Sequence, residues 1–363
     1  DKCGCNNIAL GSYAQGSVNG NSTARQYNVS IGHYASANLT DGHNNIHIGQ
    51  GAGVNMTGND GTIMIGCYAG KCMTGADNIF IGSDVAKGCS STPANNSGVA
   101  NIVIGISAGK CMSTAGCNLI LGKYAASSLT TGTRNVVLGD SAMFCGTAQS
   151  CSIAIGYLAM KGNTTTCATG NNNIALGYES MRDICTGTLN FAGGYQAGQK
   201  LTTGGSNIFL GAQAGMNVTE GTGNQYIGNS AGRCMCDGGY NVALGYLALQ
   251  GSTTVSDNSG AYNVALGKDA GCVITSGSYN VIIGCDAGDA LTSGASVVAI
   301  GRGALSSEDT KSYAVAIGCG ALATQNGDWG NNVAVGKEAG YSITNATENV
   351  FMGYEAGKGV TTG

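Results

Sequence analysis

The chain has 363 residues, of which 63 are Gly and one is Pro; charged residues make up 10% and the formal net charge is −4. That balance excludes an ordinary charge-rich enzyme domain and a nucleic-acid binder with a basic patch, while 43% hydrophobic residues exclude a chain disordered for want of apolar surface. There is no G-X-Y period of collagen and no apolar run of the ~18 residues that a membrane span needs, so membrane insertion is not expected. The chain opens at Asp1 with no initiator Met and no signal peptide, and is read as a mature or excised segment.

The first predicted strand lies in Asn7-Ile8-Ala9-Leu10-Gly11, and the same pattern returns throughout the chain. After an insertion at 12–31 it is anchored on Gly32, Gly49, Gly66 and Gly82. A second insertion at 83–104 leads to Gly105, Gly122, Gly139 and Gly156, and a third at 157–176 to Gly177, Gly194, Gly211, Gly228 and Gly245. A fourth, at 246–266, leads to Gly267, Gly284, Gly301, Gly318, Gly336 and Gly353. These are twenty copies, and thirteen of the nineteen spacings are 17 residues.

With the anchor Gly at position zero, −4 is Asn in sixteen copies, −3 and −1 are each apolar in nineteen, and +3 is Ala in eighteen. Return loops such as Leu201-Thr202-Thr203-Gly204 carry turn chemistry. A helical repeat is excluded, because no stretch has a 3.6-residue period and Gly is unfavourable inside helices. The fold class expected is all-β: a parallel β-solenoid forming a single continuous domain over 1–363. Coils stacked ~4.8 Å apart would make a rod on the order of 95 Å long. In it, −4 forms an Asn ladder and −3 and −1 fill the core. Position −2 then points outward, yet it is mostly apolar, with Ser30 and His47 as polar exceptions. Phe80, Ile120, Phe209 and Phe351 in this column are therefore expected to form an assembly face against identical chains. Because the first and last copies carry ordinary repeat sequence, head-to-tail stacking of identical chains is expected as well.

The recurring N-V-A-L-G and N-x-V-A-I-G segments followed by x-x-Ala, as in Asn241-Val242-Ala243-Leu244-Gly245, resemble the head repeats of trimeric autotransporter adhesins, the YadA-like family, and related repeats of phage tail fibres. The resemblance covers essentially the whole chain, with longer coils and more Cys than the family carries. It implies a left-handed parallel β-roll, commonly trimeric, on a cell or virion surface.

Sixteen Cys in a Gly-rich repeat point to an oxidising, extracellular setting. Cys111 and Cys117 enclose a five-residue loop, and Cys145 and Cys151 repeat that spacing in the same register, so both pairs are expected to be disulfides. Cys72 with Cys89, and Cys167 with Cys185, sit in similar register on successive coils, within disulfide reach. Zinc is disfavoured, since Cys234-Met235-Cys236 lacks ligand spacing, and no cofactor is implied. Sequons in return loops or insertions make Asn21, Asn38, Asn55, Asn95, Asn163, Asn217 and Asn345 the glycosylation candidates, whereas Asn28 belongs to the Asn ladder.

No catalytic constellation emerges from the columns. Asp269 with Asp286, and Glu338 with Glu355, share position +2 on adjacent coils, but Lys268 and Lys337 beside them make a solvated charge row the simpler reading. Tyr157, Tyr178 and Tyr195 share +1 as an aromatic row able to stack on sugars or on neighbouring coils. The expected function is a non-enzymatic extracellular structural rod or filament stabilised by disulfides. The alternative is a surface adhesin or tail-fibre shaft that binds glycans or a receptor through its loops.

Overall fold

In a computed structural model, residues 4–16, 25–88, 96–163, 168–254, 257–308, 310, 312–325 and 331–362 are described. The fold is an all-β parallel solenoid, with no α-helix among the described residues. The chain forms two compact units, Asp1–Thr186 and Gly187–Gly363. Among its described residues the first contains ten three-residue strands, from Ile8–Leu10 to Ile174–Leu176, and three two-residue strands, Gly4–Cys5, Arg25–Gln26 and Gly42–His43. Among its described residues the second contains ten three-residue strands, from Phe191–Gly193 to Val350–Met352.

Each three-residue strand occupies −3 to −1, and within each unit successive strands pair in parallel from coil to coil. Ile102, Leu119, Val136, Ile153 and Ile174 form one such column in the first unit. Phe191, Ile208, Gln225, Val242 and Val264 form another in the second. The insertions leave this register intact: Ile153 pairs with Ile174 and Val242 with Val264 as they would across a 17-residue step.

The coil turns at left-handed backbone positions that recur at −5, +2 and +4, illustrated by Asn44 (φ 59°), Glu179 (φ 52°) and Leu249 (φ 52°). Such non-Gly residues cost roughly 1–2 kcal/mol each. They are held by hydrogen bonds to neighbouring coils, as when Tyr124 N donates to Ile106 O at 2.9 Å and Met143 N to Ala159 O at 2.9 Å. The anchor has a stricter requirement. Its φ lies between +125° and +143°, and a Cβ on Gly122 would stand 2.4 Å from the carbonyl oxygen of Gly139. Only Gly fits there.

The Asn ladder forms as the sequence predicts. Asn118 N and Nδ2 both donate to Asn101 Oδ1, at 3.1 and 3.0 Å, and Nδ2 also donates to Gly132 O at 3.0 Å. Asn135 repeats the pattern on Asn118. In this way each buried amide satisfies backbone groups in its own coil and the next.

The two faces of the strands are the reverse of the sequence-based expectation. Position −2 points inward: Phe80, Ile120 and Phe209 are fully buried within their own chain, and Phe351 in the last strand is half-buried. They therefore need no second chain to cover them. The interior holds −2, Ala at +3, and a column at +7 that includes Leu39, Met56, Met112 and Leu201, all buried. It is too narrow for two large residues per strand, so −3 and −1 lie on the outside, half-exposed or exposed.

Side-chain size inside is balanced between −2 and +4. Phe209 faces Gly215, where a Cβ would meet its ring at 2.6 Å, and Tyr226 faces Gly232, where it would do so at 2.3 Å. Where −2 is Ala, as at Ala154, Ala175 and Ala243, +4 is often large: Met160, Met181 and Leu249, all buried. Volume is conserved while the residues exchange places.

Candidate functional site

The most extensive surface feature is the outer face of the strands. Columns −3 and −1 present Ile, Val and Leu side by side, broken by Phe191, Gly193, Gln225 and Met352. Residues two apart on a strand are separated by ~6.8 Å and coils by ~4.8 Å, so the ten coils of a unit expose an apolar strip on the order of 330 Å². Ile102 is 40% exposed and Leu244 50%. Scattered apolar residues are ordinary on a surface; here β-branched and aliphatic side chains lie contiguously along the strand face.

Tyrosine rows border it. At −5 in the second unit, Tyr240 and Tyr262 stack with centroids 5.3 Å apart and planes 8° from parallel, and Tyr262 and Tyr279 at 5.0 Å and 2°. In the first unit Tyr13 stacks on Tyr34 at 4.9 Å and 6°, and Tyr157 on Tyr178 at 5.3 Å and 26°. Tyr195, the third residue of the expected +1 row, is also exposed. The −5 row escaped the sequence reading because it lies outside the recurring strand segment, although its 17-residue spacing was there to be found.

The acidic pairs are laced by lysines. Lys268 contacts Asp269 and lies 3.7 Å from Asp286, while Lys358 contacts both Glu338 and Glu355. Hydrogen bonding from Lys358 holds the Glu338 and Glu355 carboxyls below their ordinary range, the opposite of what a general acid needs. Near them, Gly303 and Gly320 at +2 open a groove of 370 Å³ lined also by Asp286, Arg302, Cys319 and Glu338. Arg302 Nη2 reaches Cys319 Sγ at 3.7 Å there.

A polar cluster lies inside the first unit. His47, at −2, sits 2.6 Å through Nδ1 from Ser36 Oγ and 2.9 Å through Nε2 from Thr62 Oγ1; Ser36 Oγ is in turn 2.7 Å from Ser30 Oγ. A Ser–His pair at this distance suggests nucleophile activation, but His47 and Ser36 are wholly buried. Burial lowers the His47 pKa to about 4, so the ring is neutral. It is a satisfied core histidine: Ser30 and Ser36 stand in columns that are apolar or Gly in most coils, while Thr62 holds a position in the Asn column.

The cysteines do not form the expected loop staples. Cys111 is disulfide-bonded, but Cys117 is an exposed thiol and so is not its partner. Cys145 is a buried thiol and Cys151 an exposed one, so these positions face different environments despite their shared spacing. Cys72 is a buried thiol and Cys185 a half-buried one; their expected partners Cys89 and Cys167 lie outside the described residues. Position +6 instead carries an Asn/Cys row, in which Asn38 Nδ2 donates to Asn55 Oδ1 at 3.2 Å and Asn55 Nδ2 to Cys72 Sγ at 3.4 Å.

Among the sequons, Asn38, Asn163 and Asn345 are exposed and Asn55 is half-buried. Asn217 is only 7% exposed, its amide directed to Cys234 Sγ at 3.7 Å, which removes it as a glycan acceptor in the folded chain. Asn21 and Asn95 lie outside the described residues.

No protein-family model matches the chain, and no curated protein matches it.

Proposed function

We propose that the chain is a non-enzymatic structural protein of an extracellular, cell or virion surface, and that identical chains associate laterally through the −3/−1 face to build a rod or filament. The observation that carries this reading is the division of labour in each strand. The interior is already filled by −2, +3 and +7, yet the outer columns remain Ile, Val or Leu in nearly every coil. A face solvated throughout would have no reason to hold that composition, whereas one buried in an assembly gains roughly 25 cal/mol per Å² of apolar surface covered. The resemblance of the repeat to YadA-like heads and tail-fibre repeats supports the same reading.

Sedimentation of the chain at micromolar concentration tests it. Self-association is expected, and replacing Ile208 and Val242 on the outer face with Lys should abolish it while circular dichroism stays unchanged. A native chain that remains monomeric at those concentrations would overturn the proposal.

A further inference from the structure

The stacked tyrosines of the second unit have a geometry whose chemistry differs from simple packing. Tyr240, Tyr262 and Tyr279 occupy −5 on three successive coils with φ of 57°, 58° and 60°, so their side chains leave identical backbones in one direction. Backbone bonds from Tyr262 N to Gly239 O and from Tyr279 N to Ala261 O, each 3.1 Å, hold the three in register. The rings are nearly parallel at 5.3 and 5.0 Å, and all three are exposed, at 56%, 48% and 62%. Their faces are turned to one another, which leaves ring edges and phenol groups outward. Such a row is a poor platform for sugars, which stack on open ring faces, but each ring's reactive edge is accessible beside that of its neighbour.

We propose that Tyr240, Tyr262 and Tyr279 are a site of intrachain oxidative phenol coupling, forming dityrosine between adjacent coils. The oxidant is of the haem-peroxidase class, consuming hydrogen peroxide. Each of two tyrosines gives up one electron and its phenolic proton, becoming a phenoxyl radical with spin on the oxygen and the ring carbons ortho to it. The two radicals join through a new ortho carbon–carbon bond, and the ring hydrogens at those carbons move to the oxygens to restore the phenols. In sum, two tyrosines and one hydrogen peroxide yield one dityrosine and two water molecules. Coils fixed next to each other supply the partner at an effective concentration that diffusing chains cannot match. Only two couplings are available, Tyr240 to Tyr262 and Tyr262 to Tyr279, because the next positions in the row are Gly223 and Ser296. Tyr262 belongs to both.

The test treats the full chain with a peroxidase and limiting hydrogen peroxide, then maps cross-linked peptides by mass spectrometry. Peptides joining Tyr240 to Tyr262 or Tyr262 to Tyr279 are expected, with a yield unchanged over about a hundredfold dilution, as an intrachain reaction requires. Tyr262→Phe keeps a ring in the stack and should eliminate both. Tyr27→Phe and Tyr313→Phe should leave them intact: both tyrosines lie at −5 with comparable exposure but have no stacked ring among the described residues. Unfolding the chain in denaturant before oxidation should scatter the cross-links. The proposal is overturned if these cross-links fall away on dilution, if they form equally in the unfolded chain, or if the phenols oxidise without joining these residues.

Discussion

Exchanging the partners of one interior pair tests the packing of the coil directly. Phe209 fills −2 and Gly215 stands opposite at +4, and a Cβ on Gly215 would lie 2.6 Å from the ring, closer than any real contact. Phe209→Ala should destabilise the unit by about 3–5 kcal/mol, as a cavity left by a fully buried aromatic does. Part of that loss is its stacking on Tyr226, at 5.6 Å and 24°, worth about 1 kcal/mol. Gly215→Leu alone overfills the same space and should cost about 1–3 kcal/mol or more. The double variant recreates the pairing of Ala243 with Leu249, which adopts φ of 52° in the folded chain, so the left-handed backbone at Gly215 is no obstacle to Leu. It should lie within about 2 kcal/mol of the native chain, far from the sum of the single changes. Urea unfolding and hydrogen exchange of the amides around Gly211 measure all three variants. Additivity to within about 0.5 kcal/mol would mean that −2 and +4 do not share one space, and the account of the interior would fail.

Three further outcomes follow from individual contacts. His47 titrates at about 4 in the folded chain against an ordinary 6.5 for histidine, so folding favours its neutral form. Its stabilising effect is complete above pH 6.5 and lost as the pH falls through 6.5 towards 4, about 3 kcal/mol in all. Hydrogen exchange at Ser36 and Ile46 should quicken over that window, and His47→Phe should flatten the response; protection that is independent of pH in the native chain would count against it. Asn118→Ala strands Gly132 O and Asn135 N and should cost about 2–4 kcal/mol in urea unfolding. Asn118→Ser should cost less, because Ser152 in the same column accepts from Asn173 N at 3.2 Å. Gly122→Ala drives a methyl group into Gly139 O and should cost roughly 3 kcal/mol or more, whereas Gly303→Ala, whose Cβ meets nothing within 4 Å, should cost only about 1 kcal/mol.

The period, the parallel stacking and the Asn ladder were legible because each depends on one residue type recurring at one position. Which side of a three-residue strand faces inward was not, because two apolar columns outvote one when apolarity alone is counted. The better signal is variance. The outer columns vary little, mostly among Ile, Val and Leu. The inner column runs from Ala175 to Tyr226, since any size is tolerated there if +4 compensates: Met181 stands across from the first and Gly232 from the second. The polar exceptions say the same. Ser30 and His47 on a solvated face would leave Ser36 without a reason to be polar, whereas inside the coil Ser36 bridges Ser30 and His47, and Thr62 of the Asn column meets the other ring nitrogen. Cysteine spacing misled for a related reason: Cys145 and Cys151 are six residues apart across a corner, and the corner carries one inside and the other to the surface. In a coil this narrow, separation along the chain gives little information about direction, and direction decides what a side chain can reach.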